Sequence, residues 1–308
     1  MHGMILAAGL GTRLRPLTDT FPKPLMPVAG VPNIVRIIER LKEAGIETIV
    51  INTHWQPDAL KARLGSGKTF GVEIVYSDEP ILLGTGGGIR RALPFLGQNG
   101  FVVVNGDALF APDFNRIFQF HKAHGGPATM VLRADPNAER YGAVGIDEEN
   151  RIRRLVWAGK QTPNLRTYMF CGVQVLENEI ASELPDRGCI VRSTYVPRVE
   201  QNLPLYGIVD DSYFCDLGTP ERFLDANLRL VTGSETLRGF EAPDDGIYVG
   251  ENVSLHPGCT LHPGTVICDG ARIEAPISIS ASVILENTRV HQPLHRCVAA
   301  PNATVEVN

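Results

Sequence analysis

Four residues in one short stretch could do chemistry on an anion: Gly9, Gly11, Arg13 and Lys23. They lie in "LAAGLGTRLRPLTDTFPKPLMP", which runs from Leu6 to Pro27 and has Asp19 as its single acid. Glycines directly after an apolar run let backbone N–H groups approach phosphate oxygens closely. Arg13 adds a planar fork of donors, and Lys23 adds a mobile point charge. Pro22 and Pro24 flank Lys23 and restrict its backbone. Two better-known phosphate loops do not fit. A dinucleotide fingerprint needs a third glycine where Leu14 stands, and no G-K-[ST] closes a Walker A loop. A solvated basic turn is the plain competing reading. The coincidence of glycines, prolines and cations in so short a span argues against it.

The elements that must position this loop alternate. "HGMILAA" reads as a strand, and "NIVRIIERLKEAG" is amphipathic. "ETIVIN", "VEIVYS", "FVVVNGD" and "ATMVLRA" are apolar runs, separated by the helical patterns "QPDALKARLG", "GGGIRRALPFLG" and "DFNRIFQFHKAHG". This alternation predicts a Rossmann-like α/β fold with a mixed, mainly parallel sheet and helices on both faces. Ligands of such sheets bind beyond the strands' carboxyl ends. That singles out the loop after Ala8, the segment after Tyr76 and the "NGD" after Val104. Between Tyr141 and Tyr168 the pattern shifts to short strands, expected as an inserted antiparallel patch. "TPERFLDANLRLVTG" predicts a closing helix with Thr219 as N-cap, Pro220 in the first turn and Gly233 at the stop.

From Ile247 the chain divides into sixes: IYVGEN, VSLHPG, CTLHPG, TVICDG, ARIEAP, ISISAS, VILENT. The third place is always aliphatic: Val249, Leu255, Leu261, Ile267, Ile273, Ile279 and Leu285. This period predicts a short left-handed β-helix after the sheet. The expected organisation is a catalytic domain over 1–232, a linker over 233–246 and the hexad solenoid over 247–308. So short a solenoid needs capping by the catalytic domain or by another subunit.

Composition excludes several classes. The chain has 308 residues, 44% hydrophobic and 20% charged, with a formal net charge of −5. No general nucleic-acid surface is implied, so an anionic ligand must be held locally. The six cysteines, Cys171, Cys189, Cys215, Cys259, Cys268 and Cys297, form no CxxC pair and read as reduced thiols. No signal peptide or membrane-length apolar run is read, and a cytoplasmic location is expected.

The motifs resemble those of the sugar-1-phosphate nucleotidyltransferases. "GLGTRLRPLT" with "PKP" is similar to that family's N-terminal signature. "LLGTGGGI", "VVVNGD", "FCGVQV" and "FCDLGTP" resemble later motifs in order, with Phe214 and Leu217 standing where the family has Trp and Ile or Val. The similarity covers roughly residues 3–232, and a hexad tail is common in the family. The resemblance implies attack of a sugar-1-phosphate oxygen on the α-phosphorus of a nucleoside triphosphate, with pyrophosphate leaving. Arg13 would grip the triphosphate, Lys23 would neutralise the reacting phosphate, and Asp107 and Asp216 would hold Mg²⁺, with Arg13, Lys23 and Asp107 as the catalytic set. It further implies nucleotide contacts from Leu6, Ala8, Gly9, Gly11, Thr12, Gly84, Thr85, Gly86 and Asn105, and sugar contacts from Tyr141, Gly142 and Gly172. A homo-oligomer is expected, with no nucleic-acid or membrane partner.

One departure concerns the sugar. Many relatives carry a Glu-Lys pair where this chain has Trp157 and Ala158, with Lys160 nearby as a possible substitute. That departure, "TGGGI" and "INTHW" resemble N-acetylmuramate-1-phosphate uridylyltransferases. The hexad tail resembles mannose-1-phosphate guanylyltransferases instead. Both readings stay open at this point. Two other classes compete. A bifunctional nucleotidyl/acyltransferase would use His256, His262, His291 or His295 as a base. However, His256 and His262 sit beside turns, and two coils are few for an acyl-donor cleft. A non-catalytic sugar-nucleotide-binding regulator would be favoured by loss of Arg13, Lys23 or an acidic ligand, and all are present.

Overall fold

The computed structural model describes residues 1–136, 138–159 and 164–307. The chain forms two compact units, neither continuous in sequence. The first comprises Met1–Gly9, Ile37–Gly106 and Pro112–Ser212, and the second comprises Leu10–Arg36, Asp107–Ala111 and Tyr213–Asn308. The units thus cut across a division made in simple chain order.

The first unit is built on a mixed sheet. Phe101–Asn105, His2–Leu6, Thr48–Thr53 and Glu73–Asp78 lie side by side and parallel. Met4, Ile5, Ile49, Val50, Ile51, Val102 and Val103 are fully buried, as expected for strands covered on both faces. Arg166–Leu176 runs antiparallel to Phe101–Asn105 and to Ala128–Arg133, and Tyr206–Val209 is parallel to Ala128–Arg133. The expected antiparallel patch is present as Val144–Ile146, Ile152–Leu155 and Ala158–Gly159. Helices form at Pro57–Leu64, Gly84–Ala92 and Phe114–His124, the last with Asp113 as N-cap. The helix Asn33–Glu43 also forms as expected. The glycines of "GTGGG" lie inside the second of these helices rather than in a loop before it.

The second unit contains the signature loop, a two-stranded pair, a helix and the hexad tail. The helix Pro220–Val231 begins at the N-cap Thr219, and Gly233 follows it with φ +69°, as the sequence predicts. The tail is a solenoid of parallel strands. Val249 stacks on Ile267, Leu255 on Ile273 and Leu261 on Ile279, so three hexads make one coil. The period then slips. Ile284 rather than Leu285 stacks on Ile267, followed by Val290 on Ile273 and Leu294 on Ile279. The corner between coils is tightened at Ala281, whose φ is +43°. Ser282 next to it donates from Oγ to the Ser280 carbonyl and accepts from the Cys297 N–H. A hairpin of Cys297–Ala300 and Ala303–Glu306 closes the far end.

One apolar core runs through the second unit. Leu14, Leu17 and Met26 of the signature loop join Phe223, Leu224 and Leu230 of the helix and Val266, Val283 and Val298 of the solenoid. Leu237, in the segment expected to be a linker, is buried in the same core. The solenoid therefore helps hold the loop that carries Arg13 and Lys23. Leu14 is fully buried beside Arg13. Leu14→Ala should destabilise this unit by about 2–5 kcal/mol, measured by urea denaturation, and lower turnover with it. An unchanged unfolding midpoint would show that Leu14 is no anchor.

Candidate active site

The loop's glycine chemistry has a specific cause at Gly11. Its φ is +63°, and a Cβ there would lie 2.9 Å from Thr18 Cγ2 and 3.3 Å from Lys23 Cβ. The Thr18 hydroxyl donates to the Gly11 carbonyl at 2.8 Å, closing the loop on itself. Thr12–Leu14 forms a single 3-10 turn, which leaves the Arg13 side chain 62% exposed while Leu14 points into the core.

Lys23 is the opposite case. Its side chain is only 8% exposed, and its ammonium donates to Asp107 Oδ2 at 2.8 Å. A charge so buried needs a partner. Asp107 directly precedes Ala108–Phe110, which pairs antiparallel with Phe214–Asp216, placing Ala108 opposite Asp216. The Leu217 N–H donates to the Asp107 carbonyl, and Asn33 Nδ2 donates to the Ala108 carbonyl at 3.1 Å. This pairing sets the two predicted acidic ligands at neighbouring positions of one strand pair. Asp216 accepts from the Arg222 guanidinium and lies 4.0 Å from Arg13. Asp107 thus pairs with Lys23, and Asp216 with Arg13 and Arg222.

Gly218 keeps this cluster compact. A Cβ there would lie 2.7 Å from Arg13 Nη2 and 2.7 Å from Asp216 Oδ1. Beside Asp216, burial raises the Cys215 thiol to about 11, so it stays protonated and is no nucleophile. All six cysteines are free, as the sequence predicts.

Residues 2–233 match the nucleotidyl transferase family. The chain belongs to that family. It is 33% identical over 94% of its length to the mannose-1-phosphate guanylyltransferase of Mycobacterium tuberculosis, covering 81% of that protein. It is 28% identical over 97% of its length to mannose-1-phosphate guanylyltransferase 1 of Arabidopsis thaliana, covering 85% of it. Among solved structures, HddC from Yersinia pseudotuberculosis, complexed with GMP-PN, superposes with a TM-score of 0.61 at 25% identity. That match covers 74% of this chain and 98% of HddC. The chain is a sugar-1-phosphate nucleotidyltransferase, an enzyme that makes a nucleoside diphosphate sugar. The fold class and the family expected from the sequence are both borne out.

The remaining residues expected in the site lie in the first unit. Leu6 ends its strand between Asn52 and Asn105. A side chain at Gly9 would meet no protein atom within 4 Å, so the protein's own packing does not require glycine there. Gly84, Thr85 and Gly86 open a helix that packs tightly against residues 185–190. The Thr85 hydroxyl accepts from the Ile190 N–H at 3.0 Å, and the Gly86 N–H donates to the Gly188 carbonyl at 2.9 Å. A Cβ on Gly84 would lie 2.7 Å from the Gly188 carbonyl oxygen. Asn105 and Gly172 are brought together, because a Cβ on Gly172 would lie 2.6 Å from Asn105 Nδ2. Gly172 has φ +74° and lies where the register of Arg166–Leu176 shifts. Next to it, burial raises the Cys171 thiol to about 12. Tyr141 ends the short helix Ala138–Tyr141, and Gly142 follows with φ +95°. Lys160 lies outside the described residues. Trp157 is 66% exposed, with the Arg192 guanidinium 5.6 Å from its ring centre.

Sequence reasoning missed Arg222, Gly218, Asn52 and Glu79. Arg222 had a signal: it stands on the first turn of a helix capped at Thr219, so its backbone start lies close to Asp216. Gly218 was visible within "DLGTP" without its reason. Its φ is not positive, so alanine fits the backbone there but not the space. Gly218→Ala should therefore cut kcat on the order of tenfold to a hundredfold by displacing Arg13 and Asp216. Far-ultraviolet circular dichroism should stay unchanged. Wild-type turnover in this variant would mean that the Arg13–Asp216 spacing does not matter to the reaction.

Proposed function

We propose that this chain joins mannose-1-phosphate to the guanylyl group of GTP, releasing pyrophosphate and GDP-mannose. The observation that carries this reading is the reach of the similarity. The mannose-1-phosphate guanylyltransferases named above match over 94–97% of the chain, so the match includes the hexad tail. The GMP-PN complex of HddC also favours a guanine nucleotide.

The site's geometry suits this chemistry. A phosphate oxygen of the sugar attacks the α-phosphorus, the new P–O bond forms, and the bridging oxygen leaves with pyrophosphate. Charge builds on the transferring group, and positioned cations stabilise it more than the ground state. Arg13 is exposed enough to take the triphosphate, and Lys23 supplies a charge already stripped of water. Gly9, which no protein atom crowds, leaves room for a nucleotide to approach the backbone. Members of this family generally work with a divalent metal. Asp107 and Asp216 fit one: both offer hard oxygen donors at neighbouring positions, with side chains 46% and 31% exposed. We assign Mg²⁺ to them, where it would neutralise phosphate charge.

We also infer that the chain self-associates through the tail. Val249 and Leu255 are 44% and 41% exposed, whereas Ile267 and Ile273, their counterparts one coil on, are buried. The strands Ile247–Val249, Ser254–Leu255 and Thr260–Leu261 each end their sheet, so their outer edges are unpaired among the described residues. A second copy offering the same end would cover both. Leu255→Glu should lower the mass measured by light scattering. A wild-type chain that runs as a monomer at all concentrations would overturn this.

The activity test is pyrophosphate release from the common nucleoside triphosphates against a panel of sugar-1-phosphates. GTP with mannose-1-phosphate should turn over fastest, and EDTA should abolish release. Preferred turnover of UTP with N-acetylmuramate-1-phosphate would reverse the substrate assignment. Acyl transfer by the full chain would give the tail a chemistry of its own.

A further inference from the structure

Glu79 is 3% exposed and Asn52 is 3% exposed, and both stand at the ends of parallel strands in the first unit. Their hydrogen bonds form one chain. The Ala7 N–H donates to Asn52 Oδ1 at 2.7 Å. Asn52 Nδ2 donates to Glu79 Oε1 at 2.7 Å. Glu79 Oε2 accepts from the Leu83 N–H at 2.9 Å. The amide's orientation is fixed by its partners, because a backbone N–H can only donate and a carboxylate only accepts. The Glu79 N–H is itself tied to the Thr53 carbonyl at 2.8 Å.

This chain of bonds explains two local oddities. The first strand stops at Leu6 although Ala7 and Ala8 are apolar and buried, because the Ala7 N–H bonds to a side chain instead of the ladder. Gly88 is glycine because a Cβ there would lie 2.6 Å from Glu79 Oε1 and 2.8 Å from Asn52 Nδ2. The carboxylate also meets the start of a helix, where negative charge is favoured.

We infer that Asn52 and Glu79 are positioning residues that lock the backbone of Ala7–Gly9 to that of Leu83–Gly84, so that the two segments hold the nucleotide base at a fixed separation. Their effect passes through the Ala7 and Leu83 amides. The inference rests on the reading that these two segments contact the base. Losing one bond to the buried carboxylate leaves a donor or acceptor unpaired and lets the segments drift apart. The cost falls on nucleotide binding and not on the sugar-1-phosphate.

The test uses the full-length chain, with GTP as the nucleotide probe, and exploits the polarity of the bonds. Asn52→Ala removes both bonds made by the amide. Glu79→Gln keeps the side chain's shape but replaces one acceptor with a donor. Each should raise the KM for GTP about tenfold or more, with the KM for mannose-1-phosphate nearly unchanged. The double variant Asn52→Asp/Glu79→Gln reverses the middle bond. The new carboxylate at position 52 accepts from the Ala7 N–H and from the new amide at position 79, whose oxygen accepts from the Leu83 N–H. All three bonds and the net charge are kept, so the KM for GTP should return to within about threefold of wild type, the mark of coupled sites. A double variant no better than Glu79→Gln overturns the proposal. So does a single variant that loses thermal stability with no change in the KM for GTP.

Hydrogen exchange separates this proposal from the reading beneath it. Peptides covering residues 4–10 and 80–88 should exchange faster together in Asn52→Ala without nucleotide. Faster exchange in one alone overturns the lock. In the wild type, GTP should protect both peptides. If it protects neither, the base-contact reading fails even where the lock itself stands, and the positioning role falls with it.

Discussion

The second unit depends on one apolar core that three distant stretches of chain must fill together. Leu14, Leu17 and Met26 come from the signature loop, Phe223, Leu224 and Leu230 from the closing helix, and Val266, Val283 and Val298 from the solenoid. A loop rich in glycine, proline and cations cannot hold its own shape in water, since ordering it costs conformational entropy. Burying three of its side chains among residues from elsewhere offsets that cost. The exposed guanidinium of Arg13 and the buried ammonium of Lys23 are then fixed by their apolar neighbours. The tail therefore helps hold the signature loop, whatever its part in assembly.

On that base the charged groups form a compact array. Lys23 meets Asp107, Asp216 meets Arg222, and Arg13 stands nearby with most of its side chain in solvent. Ion pairs in water contribute little to stability. Their value here is positional. In the reaction proposed above, this array would bring a surplus of positive charge and two hard oxygen donors to two anions, and electrostatic preorganisation of this kind stabilises a transition state without further reorganisation. Gly218 and Gly11 contribute by absence: a methyl group would crowd Arg13 and Asp216 at the first, and Thr18 and Lys23 at the second.

The first unit solves a different problem with the same economy of contacts. Its parallel strands end at backbone segments that must be held still while carrying few side chains. Asn52 and Glu79 do this from below with buried hydrogen bonds, and the glycines of "GTGGG" let residues 185–190 and the Glu79 carboxylate come within contact of a helix backbone. Glycine in a helix interior is unfavourable. Its presence here is explained by close packing at Gly86, Gly87 and Gly88.

The sequence by itself determined the family, the alternation of strands and helices, the helix begun at Thr219 and the solenoid begun at Ile247. These are local signals: a motif, a period, a cap. It also offered Arg13, Lys23, Asp107 and Asp216 as site candidates, because the resemblance attaches to those residues one by one. What it could not contain was pairing across long separations. The slip from Leu285 to Ile284 follows from a corner at Ala281 and Ser282 that closes on Cys297, not from the hexad count. The bond from Ala7 to Asn52 needs two strands in register, and the Asp107–Asp216 juxtaposition needs two distant strands to pair. Register is set by the packing of whole faces rather than by any one residue type. Tertiary structure alone decided that the signature loop and the hexad tail would share a core, because hydrophobic burial has no direction and its partners are chosen by topology.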